Sequence, residues 1–160
     1  MATQENTILN KGIPQLKDAF VIIVKTEWNA HYIDKLEEGC IKVFKENGVR
    51  FSTLIVPGAV EIPFAIKTYS ESNQLKADAF IALGIVIRGG TPHFEYVCNI
   101  VSGGITQLNI TLPSPVIFGV LTVDNEQQVI ERIGGIHGHK GEEAAYTVIK
   151  MIALNRQINS

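Results

Sequence analysis

The chain has 160 residues, 46% of them hydrophobic and 19% charged, with 14 basic against 16 acidic side chains and a formal net charge of -2. That length fits one domain over residues 1–160 with a real core, and the hydrophobic share excludes wholesale disorder. So even a charge balance makes no electrostatic case for nucleic acid or an anionic membrane as partner, and the longest apolar run, 79–87, is far short of the ~20 residues that span a bilayer.

In chain order, the opening MATQENTILN lacks the basic-then-apolar pattern of a secretory signal, and residues 1–12 read as a tail or an added strand. A first strand is expected over 19–24. Asn29 then looks like the N-cap of a helix through Ile33, Leu36, Cys40, Val43 and Phe44, which Asn47-Gly48 ends. A second strand over 51–56 leads to a short helix over 62–69 with Pro63 in its first turn. The third strand spans 79–87, and Thr91-Pro92 opens a helix through Tyr96, Ile100 and Leu108. After a fourth strand over 116–121, Asp124-Asn125 caps a helix over Val129, Ile130 and Ile133. A last helix from about 141 to 156 leaves 157–160 as a tail.

The four strand-like runs are apolar on both parities, the pattern of strands covered on both faces of a parallel sheet. Alternation with helices at this spacing, joined by right-handed crossovers, predicts an α/β protein. The expected architecture is flavodoxin-like: a four-stranded parallel sheet with helices on both faces, a three-layer sandwich. Cys40 and Cys98 lack metal-type spacing and read as reduced thiols of a cytoplasmic protein.

Ligands of open α/β sheets sit at the carboxyl ends of the strands, which directs attention to the post-strand segments. Gly89-Gly90-Thr91 ahead of a helix is suited to cradle an anion, although a turn with a threonine cap explains it equally well. His93 falls in the first helical turn beside it, where an imidazole can relay protons near neutral pH; a solvated helix-end histidine is the plainer alternative. Trp28, the only tryptophan, either stacks on a planar ring or covers the core. Glu61 either accepts hydrogen bonds from hydroxyls or complements a helix start. Between the last two helices, residues 132–141 concentrate glycine and positive charge without the spacing of a Walker loop. There Arg132 and Lys140 suit a phosphate better than His137 and His139 suit a metal.

These residues also carry a resemblance. VPGAVEIP at 56–63, LGIVIRGGTPHFEYV at 83–97, VIFGVLT at 116–122, and Glu131-Arg132 followed by a glycine-rich stretch to Lys140-Gly141 stand in this order. Together they resemble the lumazine synthase family over about 20–156. The resemblance implies condensation of 5-amino-6-(D-ribitylamino)uracil with 3,4-dihydroxy-2-butanone 4-phosphate, giving 6,7-dimethyl-8-ribityllumazine, phosphate and water with no metal or organic cofactor. It implies that Trp28 stacks on the pyrimidine, that Ala59, Val60 and Glu61 line the ribityl chain, and that Ile85, Val86 and Ile87 border the ring. Gly90 and Thr91 would hold the phosphate and His93 would transfer protons. From a neighbouring subunit, Phe118 would close over the ring and Arg132 would grip the phosphate, with Lys140 assisting and Glu143 orienting the histidine.

The sequence departs from the family's commonest pattern at Glu27, at Val60 (usually aromatic), and at Ile136 and His139, where shell-forming members carry Lys and Asn. A four-stranded parallel sheet has edges to cover, and Thr7-Ile8-Leu9 is expected to pair with a neighbour's sheet. The implied partner is therefore a second copy, in a homopentamer with active sites at subunit interfaces. A sixty-subunit icosahedral shell is the larger form. Competing readings on the same fold are a riboflavin synthase of archaeal type and a flavin- or lumazine-binding protein.

Overall fold

A computed structural model describes residues 9–160. Four strands, β1 (Phe20–Thr26), β2 (Arg50–Val56), β3 (Ala79–Ile87) and β4 (Val116–Val123), form one sheet in the order β2-β1-β3-β4. Every pairing in it is parallel. This is the expected flavodoxin-like order, with the reversal at β1/β3. The long helices are α1 (Ala30–Glu46), α2 (Ile62–Glu71), α3 (His93–Thr111) and α5 (Lys140–Ile158); α4 (Glu126–Ile130) is little more than a turn.

The two faces of the sheet have separate cores. Val21, Ile23, Ile81 and Leu83 point to α1 and α5, where Ile33, Leu36, Val43, Phe44, Val148 and Ile149 are fully buried. Ile22, Val24, Phe80 and Ala82 point the other way, to Ile62 and Ile66 of α2 and Val101, Ile105 and Leu108 of α3. Alternate residues of one strand thus feed two layers, which is why the runs are apolar at both parities.

Differences from the expected boundaries have local causes. β1 extends through Lys25 and Thr26 because both stay in register, opposite Ile55 and Val56 of β2. β4 continues through Thr122 and Val123 opposite Val86 and Ile87. α4 stops at Ile130, and Ile133 belongs to β5 (Ile133–Gly135), which pairs antiparallel with β6 (Gly138–His139). Gly134 and Gly138 take positive φ of 113° and 74° there, and glycine meets that need at least cost. α5 runs to Ile158, beyond the expected end at 156. Of the segment expected to pair with a neighbour, Thr7 and Ile8 lie outside the described residues.

Candidate functional site

The carboxyl ends of β1, β2 and β3 open into a cleft of about 570 Å³. From β1 comes Trp28, whose backbone is fixed on both sides. Its N–H donates to the Pro57 carbonyl at 3.3 Å and its own carbonyl accepts the Thr26 hydroxyl at 3.1 Å. The indole itself is 73% exposed and packs into no core, so the stacking surface stands free.

Asn29 follows in the left-handed region, at φ 62°. The capping role expected of its side chain is not the one it plays: no cap hydrogen bond forms, and Nδ2 donates to the Ile85 carbonyl at 3.0 Å. It thereby ties the β1 loop to the end of β3, and it lines the cleft.

β2 leads into a 3-10 turn, Ala59–Glu61, and Ala59, Val60 and Glu61 all face the cleft. Gly58 leaves room for the carboxylate, since a Cβ there would sit 3.0 Å from Glu61 Oε2. β3 contributes Ile85, Val86 and Ile87, and beyond it Gly89, Thr91, His93 and the half-buried Phe94. His93 is the first residue of α3, exposed, with Pro92 at the N-cap position. Thr91 acts one step earlier than a cap, its Oγ1 accepting the His93 N–H at 3.4 Å.

A smaller hollow of about 310 Å³ continues from the same loop and adds Gly90 and Arg88. A Cβ on Gly89 or Gly90 would meet nothing within 4 Å, and neither residue has positive φ. Neither packing nor backbone conformation within this chain calls for glycine at these positions. What the glycines leave is bare backbone facing outward.

The remaining expected site residues are not in this cleft. Phe118 lies on the edge strand β4, 44% exposed. Arg132 sits at the start of the β5–β6 hairpin, its Nη1 donating to the Gln128 carbonyl at 2.9 Å and lying 3.8 Å from Glu131. Lys140 opens α5, and its ammonium donates to both oxygens of Glu143 at 2.8 and 2.7 Å. Glu143, expected to orient the histidine, has Lys140 as its ion-pair partner within the chain. His137 faces Glu131 at 3.6 Å, while His139 accepts the Glu142 N–H at 3.4 Å and caps α5.

Sequence reasoning missed three residues of this region: Asn29 as a cleft residue, Phe94 and Arg88. The first two would have needed the tertiary neighbours. Arg88 stood inside a recognised motif and was passed over for the glycines beside it.

Fold and cleft define an α/β protein with a site at the topological switch point, pairing an exposed aromatic, a carboxylate and a glycine–threonine–histidine helix start. A family model described as 6,7-dimethyl-8-ribityllumazine synthase matches residues 18–156, and the chain belongs to that family. Among curated relatives of that name, one from Bdellovibrio bacteriovorus is 45% identical over 85% of this chain and 75% of its own length. One from Parabacteroides distasonis is 44% identical over 88% of this chain and 89% of its own, and one from Porphyromonas gingivalis is 44% identical over 91% of each.

Proposed function

We propose that this chain performs the condensation for which its family is named, joining 5-amino-6-(D-ribitylamino)uracil to 3,4-dihydroxy-2-butanone 4-phosphate. The observation that carries the proposal is the single cleft lined by Trp28, Glu61, Thr91 and His93. Each is the right chemical kind for one part of the pair of substrates. Trp28 offers its exposed indole to the pyrimidine. The backbone of Ile85, Val86 and Ile87 borders the ring, and Ala59, Val60 and Glu61 receive the ribityl chain, its hydroxyls donating to the Glu61 carboxylate. The bare amides of Gly89-Gly90, the Thr91 hydroxyl and the first turn of α3 form the cradle for the phosphate.

The chemistry is imine formation, elimination of phosphate and ring closure. Those steps need two substrates held together and protons moved, more than a strong nucleophile. His93 lines the cleft two residues after Thr91 and is assigned the proton transfers.

A copy of the chain is proposed to complete the cleft. Phe118, Arg132 and Lys140 are then supplied by a neighbour, Phe118 over the ring and the two cations toward the phosphate, with Glu143 orienting His93. Two features support assembly. β2 and β4 are the edge strands of the sheet, and neither pairs with a further strand among the described residues. The outer side of α3 presents Tyr96, Ile100 and Ile110, each more than half exposed, and no Asp, Glu, Lys, Arg or His occurs anywhere in 96–123. A solvent-facing helix normally carries charge. A pentamer is the unit proposed, and the larger shell is a question of how pentamers meet. A cytoplasmic setting belongs to the same reading, in keeping with two free cysteines, Cys40 buried and Cys98 half-buried.

The test is an assay with both substrates, following lumazine absorbance and phosphate release together. The expected result is stoichiometric phosphate and lumazine well above the spontaneous rate. A rate equal to the spontaneous one overturns the proposal.

A further inference from the structure

Arg88 is the residue between β3 and the glycine loop, and its side chain is engaged in three directions at once. Nε donates to Asp124 Oδ1 at 2.8 Å, just past β4. Nη1 donates to Glu95 Oε1 in the first turn of α3. The central carbon of the guanidinium, Cζ, lies over the Phe94 ring, 4.1 Å from its centroid. Its backbone N–H continues the β3–β4 ladder to the Val123 carbonyl at 2.8 Å. One planar group therefore joins the end of β3, the exit of β4 and the start of α3, and the cradle 89–92 is the loop it closes.

We propose that Arg88 is a positioning residue for the phosphate subsite, a clamp that holds Gly89, Gly90, Thr91 and His93 in their binding arrangement without touching the phosphate. The proposal rests on the phosphate assignment made above. A guanidinium facing two carboxylates has its charge already offset, with Nε and Nη1 both donating to them and Cζ set over Phe94. It is not a free cation awaiting an anion. Glu95 is held below the usual carboxylate range, chiefly by the hydrogen bond from Arg88, in keeping with an ionised pair. Nor is stability the main yield of the arrangement, because these groups are 43–63% exposed and such ion pairs contribute little. What the three contacts add is direction. Phe94 also lines the main cleft, so the clamp reaches the wall beside His93. Lysine cannot reproduce it, since an ammonium has neither the fork nor the stacking face.

Three variants separate a clamp from a direct ligand: Arg88→Ala, Arg88→Lys and Glu95→Gln. Steady-state kinetics are measured with each substrate varied, together with melting temperature. The clamp requires that Arg88→Ala and Arg88→Lys both raise KM for the butanone phosphate about tenfold, with KM for the pyrimidine held within about twofold. Glu95→Gln must also raise KM for the phosphate substrate, by roughly threefold, as the pair is weakened. Melting temperatures should stay within about 2 °C, which separates positioning from general loosening. Full function in Arg88→Lys overturns the clamp and makes the residue a simple cation. A lower phosphate KM in Glu95→Gln overturns it too, marking Arg88 as a ligand that Glu95 restrains. Parallel rises in both KM values with a lowered melting temperature reduce Arg88 to a structural part. The unaltered chain's turnover, measured alongside, tests the parent assignment separately.

Discussion

The two faces of the sheet are finished in different ways. On the α1/α5 face, helix meets helix at glycine. A Cβ on Gly141 would lie 2.0 Å from the Leu36 carbonyl oxygen, and one on Gly39 would lie 2.2 Å from Cε1 of His139. Cys40 Sγ donates to the Gly141 carbonyl at 3.1 Å across the same crossing. Outside it the surface is charged, with Lys42 paired to Glu142 and Lys25 to Asp34 and Glu37. On the α2/α3 face, Phe64, Tyr96, Ile100 and Ile110 stand exposed, and α3 has no charge after Glu95. One face is closed by the chain itself. The other leaves apolar side chains in the open, and that is the lesson for the site: under the proposed assembly, this is the face a second copy would cover, and Arg132 and Lys140 would reach the cleft from that copy.

The contrast breaks most visibly at Gly141. Alanine there forces a Cβ against backbone that cannot step aside, and a loss of about 3 kcal/mol or more is expected in the unfolding free energy from urea titration. A loss below about 1 kcal/mol would mean the crossing is looser than drawn. On the opposite face, Ile100→Lys should leave the far-ultraviolet dichroism unchanged yet lower the mass in solution toward the 17.6 kDa of one chain, and activity should fall with it. An unchanged assembly would remove α3 from the interface. Within the cleft, His93→Ala should lower turnover by about 10–100-fold, modestly for an acid–base residue because the condensation also proceeds unaided. Full activity would end its assigned role. The smallest effect belongs to the outer pair on the closed face: Lys42→Ala should leave the melting temperature unchanged within error, since Lys42 is mostly exposed and such pairs are screened.

Much of this was legible in the sequence, for identifiable reasons. β3 appears at its full extent because all nine of its residues, Ala79–Ile87, are apolar or glycine and helices on both faces of the sheet bury the first seven. The cleft residues Trp28, Glu61, Thr91 and His93 were found because the parallel sheet directs attention to strand ends, and each is chemically conspicuous there. Asn29 shows where local reading stops. Asparagine before a helix signals a cap, but its amide reaches a carbonyl in another strand, and no local pattern records that contact. The end of α4 was similarly obscured: Ile133 keeps the helical spacing, while Gly134 and Gly138 turn the chain into a hairpin. Arg88 was hidden differently, its partners Glu95 and Asp124 being split between a helix start and the far end of another strand.

In the proposed enzyme the catalytic unit is an interface, with the cleft from one chain and Arg132 from the next. Co-expression of two defective chains measures it directly. One carries Arg132→Ala with an intact cleft, and the other carries the Thr91→Ala and His93→Ala substitutions with an intact Arg132. If the site is shared, randomly mixed assemblies restore an intact pairing at about a quarter of sites, and activity should rise well above that of either chain alone. Activity no greater than the average of the two separate variants would contradict the claim and return Arg132 to the service of its own chain.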